Sequence, residues 1–279
     1  MSPSPDGYRA IVDQAVAQIR RGHMQKVVLS RALTLEAAVQ LPALLATLAH
    51  ANPQGYSFAF ERQKAGQRRT LIGASPELLL SKCGPRVWSN PLAGSLPRTA
   101  DPAENARRAE ALLHSTKDRH EHALVVDAVA EALAPYCRSL QVPKVPSVLE
   151  TPTMLHLSSA IAGELHDPHT TSLALALALH PTPAVCGHPL APARDFIQAQ
   201  EGFDRDLFTG LVGWCGADGN GEWAVTIRCA DVSADDVTLY AGAGVVEGSR
   251  AEQELAETSA KMRTMLAALG IESVMELPA

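Results

Sequence analysis

The run STKDRHEH, residues 115–122, sets unbroken ionisable side chains from Lys117 to His122 directly ahead of an apolar series. That series (Ala123, Leu124, Val125, Val126, Ala128, Val129, Ala130, Leu133, Ala134) recurs at helical spacing, so the charged cluster opens a helix or lies in its first turns. Such a helix must bury its apolar back while its charged front sits where charge is tolerated. Asp118, Glu121 and His122 share a face, because residues three and four apart are neighbours on a helix. A solvated helix start, where the dipole favours carboxylates, accounts for the cluster as well as a functional site does. A second acidic helix near the C-terminus shifts that balance. Glu254 and Glu257 lie three apart, and Lys261 follows four later on the same face. Singly, this is an ordinary surface Glu–Lys arrangement. Together the helices offer four carboxylates, Asp118, Glu121, Glu254 and Glu257. Hard oxygens of that kind suit Mg²⁺, and no Cys/His spacing favours zinc.

The rest of the chain supplies clustered, not alternating, elements. A helical stripe from Tyr8 to Ile19 precedes a β-branched strand over residues 26–35. A Leu/Ala helix over 41–50 ends before Asn52-Pro53, and short strands are expected at 56–60, 69–72, 77–81 and 86–88. Residues 91–97 read as a Gly/Pro loop, followed by helices over 102–114 and 117–136. Strands over 145–149 and 155–161 come next, then a helix at 170–179, a proline-rich loop at 180–189 and a helix at 191–200. Three strands (208–215, 222–230, 237–246) and a helix over 251–269 complete the pattern, with Asp218-Gly219-Asn220-Gly221 marking a hairpin. Clustered helices and strands predict an α+β chain with large, mostly antiparallel sheets, flanking helices and one domain over residues 1–279.

With 279 residues, 46% of them hydrophobic, a large core is within reach. A net charge of −6 argues against nucleic acid or an anionic membrane as main partner, since both select basic patches. The N-terminal MSPSPDGYRA has no basic segment followed by an apolar one, so no signal peptide is expected. The longest apolar run, 173–179, is too short to span a bilayer. Five cysteines without CxxC spacing read as reduced thiols of a cytoplasmic protein.

Three further features carry charge or glycine where chemistry could use them. Arg228 sits within AVTIRCA, flanked by apolar residues; it faces solvent, or points inward and needs an anion. AGAGVVEG (241–248) lets backbone N–H groups approach a ligand, phosphate or carboxylate alike. Lys26 and Glu77 open strands. They are strand-end charges, or, if buried in a pocket, a base and an acid, because burial lowers a lysine pKa and raises a glutamate one.

The ordered motifs QKVVLSR (25–31), GASPELLL (73–80), PLAGS (91–95), KDRHEH (117–122), TPTMLHL (151–157), HPTPAV (180–185), FDRDLFTGLVGW (203–214), GEWAVTIRCA (221–230), AGAGVV (241–246) and ELAET (254–258) span nearly the whole chain. In that order they resemble the chorismate-utilising enzymes, and within them the isochorismate synthases of siderophore biosynthesis. The resemblance implies that fold, an active site between sheets and helices, and Mg²⁺-dependent conversion of chorismate to isochorismate. Lys26 would activate water for attack at C2, and Glu77 would protonate the departing C4 hydroxyl. Glu121 and Glu257 match direct metal ligands, with Asp118 and Glu254 acting through water. Arg228 and the backbone at Gly242 match the positions that take the enolpyruvyl carboxylate. Gly94, Ser95, His156 and Lys261 line the remaining pocket.

Lysine at position 26 implies water as the nucleophile where ammonia-using relatives carry another residue. Ala184 and Phe208 stand where salicylate synthases tend to carry hydroxyls. Salicylate synthase and a non-catalytic chorismate-binding remnant are the alternative readings. Family members usually carry further strands ahead of the segment matching Tyr8. An open sheet edge is therefore expected, which a second subunit or a partner would cover.

Overall fold

The computed structural model describes residues 1–271. In chain order the elements are α1 (Pro5–Arg20), β1 (Lys26–Glu36), α2 (Leu41–Ala51), β2 (Tyr56–Lys64), β3 (Gln67–Ser75), β4 (Leu78–Cys83), β5 (Arg86–Ser89) and β6 (Leu92–Pro97). Next come α3 (Pro102–His114), α4 (Thr116–Leu133) with a 3-10 turn over Ala134–Tyr136, β7 (Cys137–Gln141), β8 (Ser147–Glu150), β9 (Met154–Ser158) and β10 (Ile161–Leu165). The remainder is α5 (Ser172–Leu179), β11 (Gly187–His188), α6 (Leu190–Gln200), β12 (Leu211–Cys215), β13 (Gly221–Val225), β14 (Cys229–Val232), β15 (Asp236–Val245) and α7 (Ala251–Ala268).

The strands form two six-stranded sheets, β11-β1-β15-β14-β3-β2 and β12-β13-β4-β5-β10-β7, and a three-stranded sheet β6-β9-β8. The pairings among the described residues are antiparallel, as the clustered elements predict. β1 and β15 pair over ten residues, from Val27↔Val245 to Glu36↔Asp236. In that register Lys26, Val28 and Ser30 alternate onto the side of Gly244 and Gly242. Val27 and Leu29 pack with the α1 stripe Tyr8, Val12, Ala15 and Ile19. α2 and α7 cover the same back face further along, where Leu44, Leu48, Met262 and Met265 meet Leu33, Ile72 and Leu239. The second sheet is backed by α4 and α5, with Val125, Val129, Leu133, Leu175 and Leu179 against Leu80, Val87 and Val225. β2, at the edge of the first sheet, carries Glu61, Arg62 and Lys64, charges that discourage further pairing. Among the described residues no helix is long and apolar enough to cross a membrane.

Several expectations need correction. Residues 91–97 are not a loop: β6 pairs with β9 across a register shift that absorbs Ala93 and Gly94. The strand expected over 155–161 is two strands, β9 and β10, in different sheets. The strand expected over 222–230 is likewise two, separated at Thr226–Arg228, where Arg228 has φ +51°. In both cases no glycine, proline or Asx turn signal marks the point at which the chain changes sheets. The strand expected from 208 begins at Leu211, because Phe208 and Thr209 belong to a turn, with Thr209 at φ +63°. β7 had no sequence signal, since CRSLQ is short and polar.

Leu80 is fully buried in the second sheet, whereas Trp214, on edge strand β12, is 59% exposed. Leu80→Ala is expected to cost about 2–5 kcal/mol of unfolding free energy, and Trp214→Ala at most about 0.5. Urea unfolding curves of the two variants check this.

Candidate active site

α4 begins where Ser115 Oγ accepts a hydrogen bond from the Asp118 N–H at 3.2 Å. That cap fixes the first turn and turns Lys117, Asp118 and Glu121 toward the start of α7. Glu121 and Glu254 are buried, at 5% and 1% exposure. Lys117 Nζ stands among the carboxylates, 2.9 Å from Glu254 Oε1 and 3.6 Å from both Asp118 Oδ1 and Glu121 Oε2. Burial alone would lower the pKa of this ammonium, but Glu121, Glu254, Glu257 and Asp118 outweigh it and hold Lys117 well above its ordinary value. Neither oxygen of Glu254 makes a well-aligned hydrogen bond. Burial, helped by Glu257 and Glu121 against Lys117, pushes its pKa up to about 7. Asp118, Glu254 and Glu257 line a recess of about 480 Å³ together with Ser95, Ser115 and Lys117.

Ser95 also lines a narrower inner cavity of about 60 Å³. Around it stand Glu77, Gly94, Glu121, His156, Ala184, Phe208, Arg228, Gly242 and Lys261, drawn from segments far apart in sequence. Lys26, fully buried, lies immediately behind this wall, beside Gly244. The fourteen positions that the resemblance assigns to the site thus converge on the cavity, the recess or the wall between them. Two helices and three sheets are needed to bring them there.

The charges hold one another in place. Lys26 Nζ is 3.1 Å from Glu121 Oε1, both essentially buried. Lys261 Nζ pairs with Glu257 Oε1 at 2.6 Å and donates to the Gly242 carbonyl at 2.8 Å, while Ser95 Oγ donates to Glu257 Oε1 at 2.9 Å. Burial lowers the Lys26 pKa from its ordinary value, opposed by Glu121 and Glu77. It raises that of Glu77 to about 7, opposed by the Leu92 N–H, Lys26, Lys261 and Arg228. Glu121 is biased the other way: burial is outweighed by Lys26, Lys117 and Lys261, and its carboxylate stays below the ordinary range. Burial therefore favours the neutral amine at Lys26 and the protonated carboxyl at Glu77, opposed biases of the kind acid–base chemistry uses.

Arg228 points inward, at 5% exposure, and donates from Nη2 to His156 Nε2 at 3.1 Å. Burial lowers the arginine to about 10, so it remains a cation near neutrality. Burial, then Arg228 and Lys261, hold His156 neutral, which leaves Nε2 free to accept that hydrogen bond. Gly244 is required by space, because a Cβ there would overlap the Glu121 carboxylate. Gly94 has φ +77°, and its Cα approaches Asp118 so closely that a Cβ would lie 3.0 Å from that residue's Cβ. His122, which shares the helical face of Asp118 and Glu121, instead turns to Ser159 Oγ at 2.8 Å and stands outside the cavity.

Sequence reasoning missed Lys117, although its i,i+4 spacing to Glu121 marks it. It also missed Thr209 and Tyr240, which line the cavity, and the fully buried Arg31. Arg31 Nη1 reaches the Leu255 carbonyl, Thr258 Oγ1 at 2.9 Å and Ser259 Oγ at 3.1 Å, clasping the turn of α7 that carries Glu254 and Glu257.

No three acidic, histidine or cysteine side chains among the described residues already stand as a closed ligand set. The donors nonetheless fit a hard divalent cation. They are four carboxylates around one ammonium, and both oxygens of the buried Glu254 lack aligned donors.

Removing one member of the buried Lys26–Glu121 pair leaves an uncompensated charge in the interior. Glu121→Leu alone is expected to cost about 3–5 kcal/mol, and adding Lys26→Met to recover most of it. Chemical denaturation of the single and double variants tests this. Equal losses in both would show that the ion pair is not the cause.

The model of the family described as chorismate binding enzyme matches residues 1–270. Isochorismate synthase DhbC of Bacillus subtilis is 56% identical over 98% of this chain and 70% of its own length. The vibriobactin-specific isochorismate synthase of Vibrio cholerae is 51% identical over 97% of this chain and 68% of its own. A Bacillus anthracis crystal structure assigned as a 2,3-dihydroxybenzoate-specific isochorismate synthase superposes with TM-score 0.95 at 54% identity, covering 97% of this chain and 73% of that one. With a family match over residues 1–270 and a relative 56% identical over 98% of its length, this chain belongs to the chorismate binding enzymes.

Proposed function

We propose that this chain is an isochorismate synthase, its residues 1–279 acting as one catalytic domain of a siderophore pathway that supplies 2,3-dihydroxybenzoate or salicylate. One observation carries the chemistry: Glu77 lines the inner cavity and Lys26 is buried directly behind its wall, one biased toward the neutral acid and the other toward the neutral amine. The 56% identity to an isochorismate synthase supports the same reading.

In this reading neutral Lys26 takes a proton from the water that attacks C2 of the chorismate ring. Glu77 gives its proton to the C4 oxygen, which leaves as water while the ring double bond shifts. One water enters and one leaves, so the reaction is an isomerisation. Each proton transfer is worth about 10²–10⁴ in rate. Arg228 and the backbone at Gly242 take the enolpyruvyl carboxylate. Glu121 and Glu257 would hold Mg²⁺ directly, with Asp118 and Glu254 acting through water; the ion would supply positive charge for the ring carboxylate. The inner cavity, about 60 Å³, has room for about two waters. A ring diacid is admitted as Lys261 exchanges Glu257 and the Gly242 carbonyl for substrate oxygens. Ala184 and Phe208 present no hydroxyl to the ring, which favours stopping at isochorismate over pyruvate elimination.

Incubation with chorismate and Mg²⁺ is expected to yield isochorismate by chromatography; release of salicylate and pyruvate as first products would overturn the assignment. Lys26→Ala and Glu77→Gln are each expected to lower kcat by about 10²-fold or more. Glu257→Gln is expected to weaken Mg²⁺ binding in a calorimetric titration.

The pH profile follows from the two biases. Glu77 serves as an acid only while protonated, so kcat/KM should fall as pH rises through about 7. Lys26 serves as a base only when neutral, so activity should also fall on the acid side. A profile rising monotonically past pH 8 would refute Glu77 as the proton donor.

A further inference from the structure

Three separate segments contribute to the cavity wall, represented by Val28 on β1, Val185 in the proline-rich loop, and Phe208 with Thr209 in the turn before β12. One side chain outside the cavity joins all three. Arg205 Nη2 donates to the Val28 carbonyl at 2.7 Å, Nη1 donates to the Val185 carbonyl at 2.7 Å, and the guanidinium lies 6.0 Å from the centre of the Phe208 ring. Glu201, one turn back and buried, takes the remaining bonds: it accepts from Arg205 Nε at 2.7 Å and from Nη2, and also from the Ser30 N–H at 2.7 Å. The turn itself is conformationally loaded, with Asp206 at φ +50° and Thr209 at φ +63°. Such a turn needs outside anchors to hold one shape, and Asp206 supplies a second one through Arg62 Nη1 at 2.6 Å.

We propose that Arg205 is a positioning residue for the cavity: paired to Glu201, it sets the spacing of the Val28, Val185 and Phe208 walls and so the affinity for the ring substrate. It touches no reacting atom and acts through two backbone carbonyls and one aromatic face. A planar fork with fixed donor directions suits this role, and a lysine in its place would satisfy only part of it. The inference rests on the chorismate-to-isochorismate reading only for its assay.

The test is steady-state kinetics on chorismate with Mg²⁺ for wild type, Arg205→Ala, Arg205→Lys and, as a destabilised control, Leu48→Ala, whose side chain is buried behind the first sheet. Arg205→Ala is expected to raise KM about tenfold or more, the scale of losing a charge-assisted hydrogen bond, with a smaller change in kcat. Added guanidinium ion should bring KM back toward wild type, Arg205→Lys should lie between, and Leu48→Ala should melt earlier at unchanged KM. If Arg205→Ala melts earlier but keeps wild-type KM and kcat, or if guanidinium restores its melting temperature without restoring KM, the positioning role is wrong. Should Arg205→Ala not fold, Arg205→Lys and Glu201→Gln decide: raised KM supports the role and unchanged KM removes it. A wild-type protein that turns over no chorismate sinks the activity itself, whereas an active wild type with an indifferent Arg205→Ala sinks the positioning role alone.

Discussion

The Lys26–Glu121 ion pair is the interaction on which the arrangement of this site depends. Two opposite charges at 3.1 Å, with almost no exposed surface, persist in an interior only if each keeps the other and both are held by rigid elements. β1 holds the lysine through the ten-residue ladder with β15, and α4 holds the glutamate through its Ser115 cap and its apolar back against the second sheet. Gly244 is the concession the sheet makes: a strand position gives up its side chain so that the carboxylate can reach the ammonium. The pair therefore ties the first sheet to the helix that backs the second.

That junction sets the electrostatics of everything nearby. Lys26, Lys117 and Lys261 all act on Glu121, which keeps it ionised despite burial, whereas Glu77 is dominated by desolvation and shifts toward its neutral form. Two glutamates in one cavity thus acquire opposite dispositions from their neighbours. The remaining cations are anchored by neutral groups or by carboxylates at the rim. Arg228 leans on His156, and Lys261 on Glu257 and Gly242. A dianionic ring compound is the kind of molecule that cations held in this way can receive, because their present partners can be exchanged for substrate oxygens.

Much of the fold was legible in the amino-acid order because local rules were obeyed. The capped, amphipathic α1 and α3, the β1 strand and the Asp218-Gly219-Asn220-Gly221 hairpin appear where propensity and periodicity put them. The failures share a cause. β6 carries a proline and a glycine at positive φ, and reads as a loop until its pairing with β9 is seen. The runs around Ser158 and Thr226 hold no glycine, proline or Asx turn signal, so nothing local marks where the chain leaves one sheet for another. At the site, the acidic spacings on α4 and α7 were visible, but spacing on a single helix cannot distinguish a solvated face from half of a cation site.

The sequence by itself determined the helical faces of Asp118/Glu121 and Glu254/Glu257/Lys261, the antiparallel α+β character, and the motif order that places the chain among the chorismate binding enzymes. Tertiary structure alone decided that Lys26 is paired inside the protein and not a strand-end charge, that Arg228 points inward from a break between strands, and that His122 turns away to Ser159. It also decided that Arg205 spans three walls of the cavity. The division has a physical reason. Periodicity and capping act over a few residues and are written locally, whereas burial, desolvation and the partner of a charge are properties of what the rest of the chain brings alongside it.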